Sequence, residues 1–465
     1  MRSLLHPLVV ALGALALSAA GQEPVAIGAH DEAVVARARD SVLLWKELDP
    51  LLLRRRAMSQ DGRAALRHLS ESKLLEVLAR ERSIEVPKAV VEQRWKELDQ
   101  QIRGSGDARG VVAYLRRARL TEAEFRRFLE LSFVHETLTR RALGLPDGAT
   151  VNGDQQSMWI EEELAARGYV ERPPPWKDGV VARATGFDVH ADEYARYLRL
   201  RLDPEDVEED CYQLMLYRRM LARMPDLAPE KLAESVAREI ERRRTEAESD
   251  PRHKGVPYAQ LLASQGIAFD TLDEDPAVLV AALSKLWVER SYNDEALRRV
   301  YSSEREYFDG VVGPALETSM LFLRAGQFKN EFVTRTFAEA EDELRALAPK
   351  IHGRDDFRRL AQERSEEAAS REKGGELGFV TPLGGRVPGE IKAEVARRLA
   401  DAKPFERGLA GPVRLPTGCA LLWFESRRPA PAWDVMAQHV QRELRKRFVD
   451  EVLPRASLVT EFEAE

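Results

Sequence analysis

Two cysteines and eight histidines in 465 residues leave little material for a disulfide-dense scaffold or a metal centre. The histidines are scattered, and none has another His or a Cys at ligand spacing. Positive charge is not in excess. The chain has 71 basic and 78 acidic residues, a formal net charge of −7, which disfavours a nucleic-acid partner. Aromatics make up only 7%. After the first residues no apolar run approaches the ~20 residues that a membrane-spanning helix needs. There is no P-loop, no GxGxxG opening a helix after a strand, no HExxH and no GxSxG elbow. What remains is 44% hydrophobic and 32% charged. That is the composition of a folded, globular chain, and the length suggests roughly three domains.

The first residues set the expected compartment. Arg2 supplies a positive charge, Leu8 to Leu17 read LVVALGALAL, and Ser18, Ala19, Ala20 and Gly21 follow. Charge, short apolar run and small residues are the order of a secretory signal peptide, here residues 1–21. The run is too short to cross ~30 Å of hydrocarbon. The expectation is a periplasmic or otherwise exported protein, soluble once the signal is removed. Cys211 and Cys419 would then meet an oxidising compartment, but they fall in different expected domains and read as buried free thiols.

Helical periodicity dominates the next part. Leu66, Leu69, Leu74, Leu75, Val77 and Leu78 recur at helical spacing over 62–82. Pro87 suits the first turn of a second helix bearing Val90, Val91, Trp95 and Leu98, which Gly104-Ser105-Gly106 ends. Val111, Val112, Tyr114 and Leu115 mark a third. Thr121 with Glu124 forms a capping box for a fourth, through Phe125, Leu129 and Leu138. The order then repeats. Val34-Val35-Ala36-Arg37-Ala38 returns 146 residues later as Val180-Val181-Ala182-Arg183-Ala184, and Pro87 is echoed by Pro229. The period is too long for a solenoid and reads as a duplicated domain. Expected boundaries are a helical domain over 30–165, a Pro-rich linker over 166–179 with Pro173-Pro174-Pro175, and a second helical domain over 180–308. The basic runs Arg54-Arg55-Arg56 and Arg242-Arg243-Arg244 read as solvated helical faces.

After Phe308 the pattern changes to β-α-α-β-α-β-β, a small α+β domain over 313–428. Leu316 to Leu323 suit a buried strand, and helices are expected over 332–347, around Phe357 and over 390–399. Gly411-Pro412-Val413 and Gly418 to Phe424 suggest a closing hairpin. Trp433 to Val452 reads as a last amphipathic helix, within a C-terminal segment 429–465. The whole is α+β but mainly helical.

This domain resembles the parvulin-type (PpiC-type) peptidyl-prolyl cis-trans isomerases. The resemblance rests on Ser319 to Leu323, on Asp356-Phe357-Arg358-Arg359-Leu360-Ala361 with Ser365, on Gly374-Gly375-Glu376-Leu377-Gly378-Phe379, and on Gly411-Pro412-Val413 with Gly418. The two helical segments are similar to the N-terminal domain of exported SurA-type chaperone–isomerases. The resemblance implies a four-stranded antiparallel sheet with flanking helices, clients that are unfolded or extended polypeptides, no cofactor, no metal and no nucleic acid.

It also implies where the chemistry would sit. The two histidines usual in the family fall at Met320 and Ala420, and its cysteine or aspartate at Glu367. The apolar proline pocket falls at Leu377, Val387 and Ile391, with Phe379 beside Leu377. X-Pro isomerisation crosses a barrier of about 18–20 kcal/mol without breaking a bond, so a catalyst must favour the twisted amide over the planar one. Met320 and Ala420 donate no strong hydrogen bond. Two expectations follow: a folding factor with weak isomerase activity, or a chaperone that keeps the domain only as a peptide-binding module. Cys419, adjacent to Ala420, should face the other side of its strand.

Overall fold

The computed structural model describes residues 33–461 apart from 40, 106–108, 118–119, 330, 332 and 402–403. The segment read as an export signal lies outside the described residues. The chain divides into two compact units, residues 33–287 with 448–461, and residues 288–447. No helix among the described residues is long and apolar enough to cross a membrane.

In the first unit both VVARA segments are strands. β1 (Val34–Ala38) and β2 (Ser41–Leu44) lead into α1 (Trp45–Arg56), α2 (Gln60–Glu81), α3 (Lys88–Gly104), α4 (Gly110–Arg117), α5 (Glu122–Ala142) and α6 (Gly153–Ala166). β3 (Val170–Glu171) follows. Then β4 (Val180–Ala184), β5 (Phe187–His190), α7 (Ala191–Arg199), α8 (Pro204–Ala222), α9 (Pro229–Ser249), α10 (Tyr258–Ser264) and α11 (Pro276–Ser291) repeat the order. The repeat extends to register. Val34 pairs with Leu44 and Ala38 with Ser41; Val180 pairs with His190 and Ala184 with Phe187, with the same irregularity after the first valine. The expected capping box is present: Thr121 Oγ1 accepts from Glu124 N, and the Glu124 carboxylate accepts from Thr121 N.

The two halves exchange strands. β3, which ends the first half, adds to β4 of the second. The last strand of the chain, Leu458–Thr460, adds to β1. The closing helices stay with their own halves. Trp159, Ile160 and Leu164 of α6 pack on Leu74, Leu78, Val134 and Leu138. Phe448 stacks on Trp287 of α11 at 4.2 Å. One core therefore holds Val35, Leu43, Trp45 and Leu48 together with Val181, Val189, Tyr194 and Leu198.

Charge reinforces the exchange, and here the first basic run departs from its expected solvated role. Arg55 Nη1 donates to Asp210 at 2.5 Å and its Nε to Asp275 at 2.7 Å, and all three side chains are largely buried. Arg54 and Arg56 pair with Glu274 and Asp206. Buried Arg199 pairs with Asp49 and lies over the Trp45 ring at 4.9 Å. Helical periodicity cannot report partners 150 to 220 residues away. The second run, Arg242 to Arg244, pairs instead with carboxylates of its own helix.

The second unit holds α12 (Asp294–Ser303), α13 (Arg305–Val312), β6 (Ala315–Arg324), α14 (Phe337–Leu347), α15 (Arg354–Arg364), α16 (Ala368–Arg371), β7 (Glu376–Val380), α17 (Gly389–Ala400), β8 (Gly408–Leu415), β9 (Gly418–Arg428) and most of α18 (Trp433–Val452). The strands form one antiparallel sheet in the order β7-β6-β9-β8. α14 begins five residues later than expected, because Thr336 caps it and its Oγ1 accepts from Glu339 N. The one-turn α16 was not foreseen.

Alternation along β6 and β9 splits the core in two. Leu321, Leu323, Cys419, Leu421 and Trp423 face α14 and α15, packing on Leu344, Phe357 and Leu360. Met320, Phe322, Ala420, Leu422 and Phe424 face α17, packing on Ile391 and Val395. Cys419 lies opposite the Ala420 face as expected, and both cysteines are free and buried. The Gly-Gly-Glu-Leu-Gly turn has a steric cause. Gly374, Gly375 and Gly378 all have positive φ, and a Cβ on Gly375 would sit 2.5 Å from Met320 O. Met320 N donates to Gly375 O at 2.8 Å, so this turn is tied directly to β6.

Gly375→Ala should therefore lower stability by about 1–3 kcal/mol in urea denaturation. Gly353→Ala, at an extended residue with open space around its would-be Cβ, should be near neutral. Equal effects of the two would contradict this account.

Candidate functional site

The face of the sheet turned to α17 does not close completely. Between the end of β6, α16, the start of α17 and the end of β8 lies an open cavity of about 830 Å³. Met320 and Phe322 form its floor, projecting from alternate positions of β6. Leu377 of β7, Val387 and Pro388 before α17, Ile391 in its first turn, and Leu415 of β8 complete apolar walls. Ile391 and Ala420 are fully buried and Met320 is 5% exposed. The volume suits several residues of an extended peptide, and a proline ring fills only part of it.

The sequence-predicted residues are distributed as follows. Met320, Leu377, Val387, Ile391 and Glu367 line the cavity together. Ala420 does not. It pairs with Phe322 across β6 and β9 and is fully buried. Phe379 is also absent from the walls. It is 45% exposed, with the Arg428 guanidinium 4.7 Å from its ring centre. Leu377 and Phe379 should share a strand face, but Gly378 has a φ of +79° and the β6–β7 register shifts between Thr318 and Ser319. That irregularity turns Phe379 outward. Phe322, Leu415 and Pro416 were not foreseen. Phe322 was accessible to strand alternation, being two residues beyond Met320.

Glu367 sits at the mouth with a defined local task. It is the N-cap of α16, and Ser370 N donates to its Oε2 at 2.6 Å. Hydrogen bonding to Ser370 outweighs its partial burial and holds the carboxyl below its usual range. The remaining charges of the cavity are Lys373, Glu376, Arg386 and Glu390. No histidine lines it, and no group of His, Cys, Asp or Glu among the described residues could hold a metal ion. Burial raises the Cys419 thiol, which faces away, so it is no nucleophile for this site.

Chemically, the floor offers contact surface and no hydrogen-bond donor from a side chain. A twisted amide has lost resonance and is less polar than the planar one. Withdrawal from water therefore penalises the planar form more, which is differential binding of the kind a catalyst requires. Such a pocket lacks the additional stabilisation of a donor aimed at the reacting amide.

Residues 315–402 match the family model described as the PPIC-type PPIase domain. Solved structures with similarity include peptidylprolyl isomerase PrsA from Bacillus anthracis, 13% identical, covering 53% of this chain and 94% of that one, with a TM-score of 0.29. A PpiC-type isomerase domain is 25% identical, covers 26% of this chain and 95% of that one, and has a TM-score of 0.20. A structure from a study of the SurA-like chaperones PEB4 and Cj1289 of Campylobacter jejuni is 16% identical, covers 59% and 93%, and has a TM-score of 0.22. No curated protein matches the chain.

The cap predicts a pH-dependent effect. Glu367→Ala should cost about 1 kcal/mol near pH 7. A depressed carboxyl stabilises the fold above its ordinary value of 4.5, and this contribution is lost as pH falls through the folded value. The gap between wild type and variant in urea midpoint should thus close in acid, and Glu367→Gln, which keeps an acceptor, should lose less at neutral pH. A neutral Glu367→Ala at pH 7 would contradict the capping role.

Proposed function

We propose that this chain, whose residues 315–402 match the PPIC-type PPIase domain model, is an exported folding factor of that kind. In this reading it binds unfolded or proline-containing polypeptides and catalyses X-Pro isomerisation weakly. The observation that carries the reading is the apolar cavity walled by Met320, Phe322, Leu377, Val387 and Ile391 on the family's domain. A proline ring enters it, the flanking peptide stays in the open mouth, and the amide twists in an environment poor in water. Glu367 is the carboxylate nearest in role to the family's acidic position. Its service as an N-cap supports a part in shaping the mouth rather than in proton transfer. Export rests on the charge, apolar run and small residues of positions 1–21.

The histidine-free floor favours a second reading, in which the domain binds peptide without accelerating isomerisation and the duplicated helical unit holds clients as a chaperone. Apolar side chains of that unit reach solvent at Val112, Phe128 and Met158, the kind of surface on which an unfolded chain gains apolar contact.

Isomerisation of short X-Pro peptides by the purified chain separates the two. The first reading expects a rate above background that falls to background in Leu377→Asp and Val387→Asp, both half-buried positions where a charge is tolerated by the fold but not by a proline ring. Background rates in wild type, with aggregation of an unfolded client still suppressed, would establish the second. Background in both assays would overturn both.

A further inference from the structure

We propose that the cavity selects prolines flanked by an acidic residue, and that Lys373 and Arg386 read its carboxylate. This rests on the proline-pocket reading above and adds a substrate preference to it.

Five charged side chains line the cavity: Glu367, Lys373, Glu376, Arg386 and Glu390. Two of the three carboxylates are committed within the protein. Glu376 pairs with Arg354 at 3.2 Å and with Arg358 at 3.9 Å. Glu367 is engaged with Ser370 N. Glu390 lies in the first turn of α17, where the helix dipole favours a negative charge without a cationic partner. The cations have no such compensation. Lys373 and Arg386 are exposed and have no ion-pair partner among the described residues, although the chain pairs most of its arginines elsewhere.

Their placement suits a peptide held by its proline. Lys373 lies between α16 and β7, and Arg386 between β7 and α17, directly before the wall residue Val387. They approach the cavity from two different loops. A neighbour of the bound proline emerges about 3.3–3.6 Å along the chain, within reach of such long rim side chains. The arginine fork accepts a carboxylate by two parallel hydrogen bonds, and the lysine adds a point charge. The cavity walls are apolar, so a free acid gains little there and an acidic side chain on an apolar-anchored peptide gains most.

The test uses the full chain and fluorescent, end-capped peptides Ala-Glu-Pro-Ala, Ala-Gln-Pro-Ala and Ala-Lys-Pro-Ala, with the Pro-Glu, Pro-Gln and Pro-Lys orders alongside. Binding is read by anisotropy at low and high salt. In at least one order the Glu peptide should bind about three- to tenfold more tightly than the Gln peptide at low salt, as expected for one or two rim ion pairs. The Lys peptide should be weakest and the gap should shrink with salt. In a Lys373→Gln, Arg386→Gln double variant the Glu-to-Gln affinity ratio should fall to about one, and both positions are exposed, so folding is preserved. Equal binding of Glu and Gln peptides, or a preference that persists in the double variant, would overturn the proposal and leave the proline pocket standing. If no X-Pro peptide binds, the proline-pocket reading fails and takes this proposal with it.

Discussion

Because Met320 pairs with Leu422 and Phe322 with Ala420, the ladder between β6 and β9 fixes which side chains can meet a ligand. A shift of one residue would send Leu321 and Cys419 to the cavity and bury Met320 under α15. The two-sided core holds the register, since each face packs a full apolar set of its own. Burial of one such side chain contributes about 1.5–3 kcal/mol, and a slip would forfeit several at once. The glycine turn depends on the same ladder. Gly375 reaches β6 only because it lacks a side chain, and its carbonyl holds Met320 N. From that turn Leu377 is carried to the cavity wall and Gly378 turns Phe379 away.

The first unit solves a different problem. Two similar halves, each with a small hairpin and a set of helices, close each other's sheets instead of their own. Neither three-stranded sheet is complete without a strand from the other half or from the chain end. Arg55, held between Asp210 and Asp275, and Arg199, held by Asp49, bind the halves through charges that would be costly to bury singly. The duplication thus produces one core from two copies.

Much of the second unit was legible in the sequence. The family resemblance pointed to Met320 and Leu377, strand alternation turned Cys419 away, and β7, α17 and α18 lie where their patterns predict. The failures share a cause. Phe379 was misplaced because alternation assumes a regular strand, and a positive φ at Gly378 breaks it. Ala420 is a site residue by its place in the family pattern alone, and its small side chain is fully buried and lines no part of the cavity. The arginine run at 54–56 read as solvated because its partners are remote in sequence, and the closing strand Leu458–Thr460 pairs with residues more than 400 positions away. Local pattern carries period and caps. It does not carry partners.

In the proposed function this cavity receives proline on apolar walls without histidine. Backbone amide shifts of the isotopically labelled chain, titrated with an X-Pro peptide and with the same peptide bearing alanine for proline, test it most directly. The account predicts that the amides of Met320, Phe322, Leu377, Val387 and Ile391 move with the proline peptide and not with the alanine one. Equal responses to both peptides, or shifts confined to other surfaces, would contradict it.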